Sequence, residues 1–154
     1  MHKTIISDTS CFILLSNIGE LELLQRVYGQ VTTTLEVAIE FGEPLPDWIE
    51  VATPNDLAQQ KQLELQIDKG EASAIALALE TPDCTIILDD WKARRAAEKL
   101  GLDITGTIGV IIKAKNQGLV ISIKPFLAKI KTTNFRLTEE LEIEALKEAG
   151  ESET

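Results

Sequence analysis

Thr85-Ile86-Ile87-Leu88-Asp89-Asp90 is the stretch on which the fold turns. Four consecutive β-branched or apolar residues leave no polar face, so the strand they predict is covered on both sides, as in the middle of a parallel sheet. The acidic pair stands at its carboxyl end, and residues 91–100 follow as a basic helix closed by Gly101. The same order of strand, acid and helix appears upstream. Thr4-Ile5-Ile6-Ser7 is a short β-type run ending at Asp8, with Ser10 as the expected cap of a helix over residues 11–16. Val31-Thr32-Thr33-Thr34 is a second run, followed by a helix over 35–41 that Gly42 ends. Trp48-Ile49-Glu50-Val51 alternates and predicts a third, edge strand, and Asp103-Ile104-Thr105-Gly106 predicts a short strand and turn.

Helical spacing fills the intervals. Leu21, Leu23, Leu24 and Val27 mark a helix over 20–27, and Asn55 or Asp56 caps one over 57–67. Asp68-Lys69-Gly70 is read as a break, after which Glu71 opens a helix over 72–80 that is Ala, Ile and Leu on nearly every side and therefore buried. Residues 107–116, 124–131 and 138–149 predict three more helices, and residues 151–154 a loose end. Strands alternating with helices give an α/β fold, a three-layer α/β/α sandwich with a mostly parallel central sheet. There are no repeats or long linkers, so residues 1–150 are expected to form one domain.

Composition narrows the function classes. Apolar residues make up 44% and charged residues 26%, as in ordinary globular proteins, and the apolar runs are too short to span a bilayer. The amino-terminal residues show no signal-peptide pattern, so a cytoplasmic location is expected. Cys11 and Cys84 lie in apolar contexts and predict buried thiols. His2 is the only histidine and sits near the amino terminus, which removes most support from histidine bases and histidine metal sites. The net charge of −10 speaks against nucleic acid until its distribution is read: residues 91–136 carry ten basic and two acidic side chains. That one-sided segment, including Arg94, Arg95, Lys113 and Lys115, is either a phosphate-binding footprint or a set of solvated helix faces.

The acids carry the chemistry. Asp8 and Asp89-Asp90 follow the first and fourth β-type runs, and if those strands are neighbours their acids face one pocket at the carboxyl edge of the sheet. Glu40 lies in the helix after the second run, and Glu71 in the first turn of the buried helix. Each has a structural alternative. Asp8 and one of Asp89 and Asp90 can cap helices, Glu71 can simply match a helix dipole, and Glu40 can be a solvated face residue. Together they make an all-oxygen donor set suited to Mg²⁺ or Mn²⁺ rather than zinc. Such an ion can activate water and brace a phosphodiester for in-line attack. Thr9, Ser10 and Thr107 are placed to position water or phosphate.

These residues resemble the PIN-domain family, the nuclease fold of VapC-type toxins and related ribonucleases. Ile5-Ile6-Ser7-Asp8-Thr9-Ser10 is similar to the family's first strand and first metal-binding Asp, and Val37-Ala38-Ile39-Glu40-Phe41 to the helix carrying its second acid. Gly70-Glu71-Ala72-Ser73-Ala74 resembles the third acid on an Ala-rich helix, and Ile86-Ile87-Leu88-Asp89-Asp90 the last strand-end acid. Thr105-Gly106-Thr107-Ile108-Gly109 is similar to a PIN-like branch. The resemblance covers residues 5–136. It implies a Mg²⁺- or Mn²⁺-dependent endoribonuclease acting on RNA, often a toxin held by a small antitoxin protein and often a homodimer. On that reading Asp8, Glu71 and Asp90 (or Asp89) bind the metal, Glu40 assists, and Ser10, Arg94, Arg95, Lys113 and Lys115 hold the nucleic acid. One departure stands: if Asp90 is the last acid, Leu88 and Ala93 occupy places where the toxins carry a hydroxyl and an aromatic residue. It leaves a catalytically inactive PIN-like binding module as the alternative.

Overall fold

The computed structural model describes residues 3–151. His2, the only histidine, and residues 152–154 of the expected loose end lie outside the described residues. Five strands form the sheet: β1 (Thr4–Ser7), β2 (Val31–Thr34), β3 (Ile49–Ala52), β4 (Cys84–Ile87) and β5 (Asp103–Thr105). Their order is β3-β2-β1-β4-β5 and every pairing is parallel, so the expected parallel character holds throughout and β3 is an edge as its alternation predicts. β1 lies in the middle, with Ser7 in register with Ile87 of β4. The chain moves outward from β1 to β3 on one side and from β4 to β5 on the other, which puts the topological switch point between β1 and β4.

The helices are α1 (Thr9–Asn17), α2 (Leu23–Tyr28), α3 (Leu35–Phe41), α4 (Leu57–Leu63), α5 (Lys69–Leu79), α6 (Trp91–Lys99), α7 (Thr107–Asn116), α8 (Lys124–Ile130) and α9 (Glu139–Glu148). Alternate strand residues point to opposite faces, and this divides the core in two. Ile5 and Ile87 face Phe12 and Leu15 of α1 and Val110 and Ile111 of α7. Ile6, Ile86 and Leu88 face Ala74, Ile75 and Ala78 of α5 and Ala93 and Ala97 of α6. The small residues of α5 and α6 let both helices approach a sheet already crowded with isoleucine.

Four expectations are corrected. Ser10 does not cap α1. Asp8 does, because its extended backbone, continuing β1, aims its carboxylate at the Cys11 N–H, and Ser10 falls exposed in the first turn. The helix expected over 57–67 stops at Leu63. Asp68-Lys69-Gly70 is a helix start rather than a break: Asp68 caps α5 in a reciprocal box with Glu71, which satisfies two amide groups that a break would leave free. Glu151 is not loose. Its carboxylate accepts from Ser122 Oγ and from the Ile123 N–H, the latter at 2.8 Å, and pairs with Lys115 Nζ at 3.3 Å.

Candidate active site

The carboxyl ends of β1 and β4 bring the acids together. Asp8 is joined to β4 through its N–H, which donates to the Ile87 carbonyl at 3.3 Å. Its side chain is 1% exposed. Oδ1 accepts from the Cys11 N–H at 3.3 Å, while Oδ2 is buried without a hydrogen-bond partner among the described residues. Burial is the main force that raises the Asp8 carboxyl well above the usual range. The charges of Asp89, Glu71 and Asp68 add to it, and the Cys11 N–H opposes it. A carboxylate so placed is costly unless something positive or protic reaches it.

Glu71 is 8% exposed, in the first turn of α5. The Asp68 N–H donates to it at 3.4 Å and its own N–H donates to Asp68 at 2.8 Å. Burial, then the charges of Asp68 and Asp90, push its carboxyl up to about 7. Asp68 is the acid the sequence reading missed. Its signal was present as Asp-x-x-Glu, the spacing of a capping box. Glu40 comes in from the last turn of α3. Both of its carboxylate oxygens lie 3.2 Å from where a Cβ on Gly70 would stand, and the Thr9 hydroxyl lies 3.3 Å from the same point. That hydroxyl is also buried without a partner. Glycine at position 70 thus leaves room for Glu40 and Thr9 beside the amino terminus of α5.

The acidic pair divides its work. Asp90 is exposed and caps α6, its Oδ2 accepting from the Ala93 N–H at 3.0 Å. Asp89 turns toward β5 and α7, where Oδ1 accepts from the Thr107 N–H at 2.8 Å and Oδ2 from the Thr107 hydroxyl at 2.6 Å. Burial raises the Asp89 carboxyl, opposed by the two Thr107 bonds and the charge of Arg94. Thr107 is therefore committed to Asp89. A Cβ on Gly106 would fall 2.9 Å from both Arg94 Nη1 and Asp89 Oδ1, which shows how closely that corner is filled.

The basic residues separate into two groups. Arg94 is fixed at the site by donating to the Leu88 carbonyl at 2.8 Å. Arg95 lies on the same helix with its guanidinium 4.7 Å above the Trp91 ring. Lys113 sits over the Tyr28 ring at 4.9 Å and lines a cavity with Lys3, Thr85 and Asp103, at the amino-terminal ends of the strands. Lys115 donates to the Ala149 carbonyl at 3.2 Å and pairs with Glu151. The structure brings Ser10, Arg94 and Arg95 to the acidic end of the sheet and leaves Lys113 and Lys115 away from it.

The donors at this end are all oxygen, with two buried and unpartnered, Asp8 Oδ2 and Thr9 Oγ1. That chemistry fits a hard divalent cation. Among the described residues, however, no three histidine, cysteine, aspartate or glutamate side chains form a group that could hold an ion as they stand. No helix among those residues is long and apolar enough to cross a membrane. No curated protein matches the chain. The model of the family described as PIN domain (DUF3368) matches residues 4–151, from the first strand through the last helix. A parallel sheet in the order β3-β2-β1-β4-β5, acids at its switch point and a match of that extent together make this chain a member of the PIN-domain family.

Proposed function

We propose that this chain is a divalent-cation-dependent endoribonuclease acting in the cytoplasm, the toxin of a toxin–antitoxin pair. Asp8, Glu71 and Asp90 would hold Mg²⁺ or Mn²⁺, with Glu40 beside them. Asp89 is the weaker candidate ligand because both of its oxygens already accept from Thr107. When bound, the cation supplies Lewis acidity toward water and the phosphodiester. The protein's own groups prepare the place. The unpartnered Thr9 hydroxyl lies beside Glu40, where it can orient a water or a phosphate oxygen. Arg94 is held by one N–H on the Leu88 carbonyl, which leaves donors for a phosphate. The observation that carries the reading is Asp8. A carboxylate 1% exposed, with one oxygen unpartnered and other acids around it, is unfavourable for folding alone and favourable for binding a cation.

The test is cleavage of a mixed RNA pool with Mn²⁺ or Mg²⁺ and with chelator, beside Asp8→Asn. Cation-dependent cleavage that disappears in the variant is the expected result, and no cleavage by well-folded parent protein overturns it. An antitoxin would offer a basic side chain to the uncompensated acids, so its affinity should fall in an Asp8→Asn/Asp90→Asn double variant. A second reading, a PIN-like binding module without catalysis, is favoured by the commitment of Asp89 to Thr107 and the lack, among the described residues, of a preassembled acid cluster. Calorimetry with Mn²⁺ separates the two, since the module should bind none near millimolar cation.

A further inference from the structure

Trp91 is 66% exposed at the first position of α6, directly after the Asp90 cap. An indole that adds little to the core and stands free of it is normally there to meet something. Its surroundings say what. Arg95, one turn on, stacks its guanidinium 4.7 Å above the ring. Lys92, Arg95 and Lys99 follow at helical spacing along one face of α6. Among the described residues none of these three makes an ion pair, although the protein carries a net charge of −10. The same face borders a cavity of about 390 Å³, whose far wall includes Leu65 and Ile67. Leu65 is 85% exposed. Trp91 also lines a second cavity of about 490 Å³ with Asp89, Arg94 and the α9 residues Glu144 and Glu148, so the indole stands as a ridge between that cavity and the basic face, directly after the site acid Asp90.

We propose that Trp91 and the Lys92-Arg95-Lys99 face of α6 form a platform for single-stranded RNA, with one base stacked on the indole and the flanking phosphates held by the three cations. The proposal rests on the ribonuclease reading for its choice of RNA. A protruding indole selects single strands, because a base inside a duplex presents no free face to it. Arg95 keeps the ring oriented by its own stacking and presents its remaining N–H groups to a phosphate. Asp90 precedes the indole directly, so the stacked base belongs to a nucleotide close to the phosphate that the acids address. Trp91 is accordingly a positioning residue and touches no reacting atom.

The experiment reads binding without cleavage. In a Trp48→Phe background Trp91 is the only tryptophan, and chelator keeps the substrate intact. A short mixed-sequence single-stranded RNA should quench Trp91 fluorescence on binding, the same sequence as a duplex should bind more weakly, and heparin should bind without comparable quenching. By anisotropy of labelled RNA, Trp91→Ala should weaken binding about tenfold and Trp91→Phe should recover most of the loss. Lys92→Gln and Lys99→Gln should each lower the slope of log affinity against log salt by about 0.7. Far-UV circular dichroism checks that the variants keep their helices. Equal affinity of Trp91→Ala and parent, quenching by heparin equal to that by RNA, or no RNA binding at all overturns the platform. If the stacking results appear and no RNA is cleaved under any condition, the platform stands and the ribonuclease reading falls. If RNA is cleaved but Trp91→Ala binds like the parent, the reverse holds.

Discussion

Asp8 caps a helix and also carries the most deeply buried charge of the site. The two roles can be separated, because asparagine caps nearly as well as aspartate. Asp8→Asn should keep the fold, raise thermal stability in chelator at pH 8, and lower cleavage by about a hundredfold or more. Melting curves and RNA turnover check these together. Glu71 gives a pH signature. Its folded carboxyl titrates at about 7, against 4.5 when unperturbed. Between those values the folded protein keeps a proton that the unfolded chain has released, so this group's stabilisation is full below about pH 4.5 and is lost as pH rises through 7. At about 1.4 kcal/mol per unit the loss is at most about 3.5 kcal/mol. Urea midpoints in chelator should fall from pH 5 to pH 8, and Glu71→Gln should remove Glu71's share of the fall while leaving the share due to the raised Asp8 and Asp89 carboxyls. Added Mn²⁺ should restore stability at pH 8 far more than at pH 5. Asp8, Asp89 and Asp90 were conspicuous in the sequence as carboxylates after strands, whereas Asp68, inside a capping box, was not. Which of their oxygens are free was not legible, since that depends on Thr107 arriving from another strand–helix junction.

At the scale of the element, two glycines show where helices meet side chains of the site. Gly70→Ala would place a methyl 3.2 Å from the Glu40 carboxylate at the start of α5. Alanine suits a helix better than glycine by about 0.5–1 kcal/mol and the exposed Glu40 can move aside, but the buried Thr9 hydroxyl at 3.3 Å must give, which offsets the gain. Stability should therefore change by less than about 1 kcal/mol while cleavage falls, and a melt beside an RNA assay tests it. Gly106→Ala meets the Asp89 carboxylate, which Thr107 holds in place, so it should cost about 1–2 kcal/mol by urea unfolding. Periodicity located every strand and the helices between them. It failed at boundaries, and at α1 the reason is clear. Whether Asp8 or Ser10 caps α1 follows from the extended backbone that β1 carries into position 8, and β1 is held by pairing with a distant strand. The start of α5 differs, since its signal is local: Asp68-x-x-Glu71 has the spacing of a capping box, and the Lys69-Gly70 between them lies inside the first turn rather than in a break.

On the scale of the whole molecule, the basic segment that looked continuous in the sequence is distributed over both ends of the sheet. Arg94 and Arg95 stay near the acids, whereas Lys113 and Lys115 are carried away along α7. Linear charge could not reveal this, because α7 runs from the carboxyl edge of the sheet back toward the other. Lys115 meets Glu151 there. Burial would raise the Glu151 carboxyl, but hydrogen bonds from Ser122, the Ile123 N–H and Lys115 outweigh it and hold the group below its ordinary value. Glu151→Ala should cost about 1–3 kcal/mol by leaving those donors unmatched, with little effect at the distant acids; urea unfolding and the RNA assay distinguish the two effects. The sheet order has a last consequence, for the time at which the protein becomes what it is. Thr4 of the central strand pairs with Cys84, and β5 closes that side only with Asp103 to Thr105. A chain leaving the ribosome carries its middle strand β1 and its early neighbour β2 long before β4 and β5 exist. Asp8 meets Asp89 only after more than half of the polypeptide has been made, so the acidic end of the sheet cannot assemble on a nascent amino-terminal half.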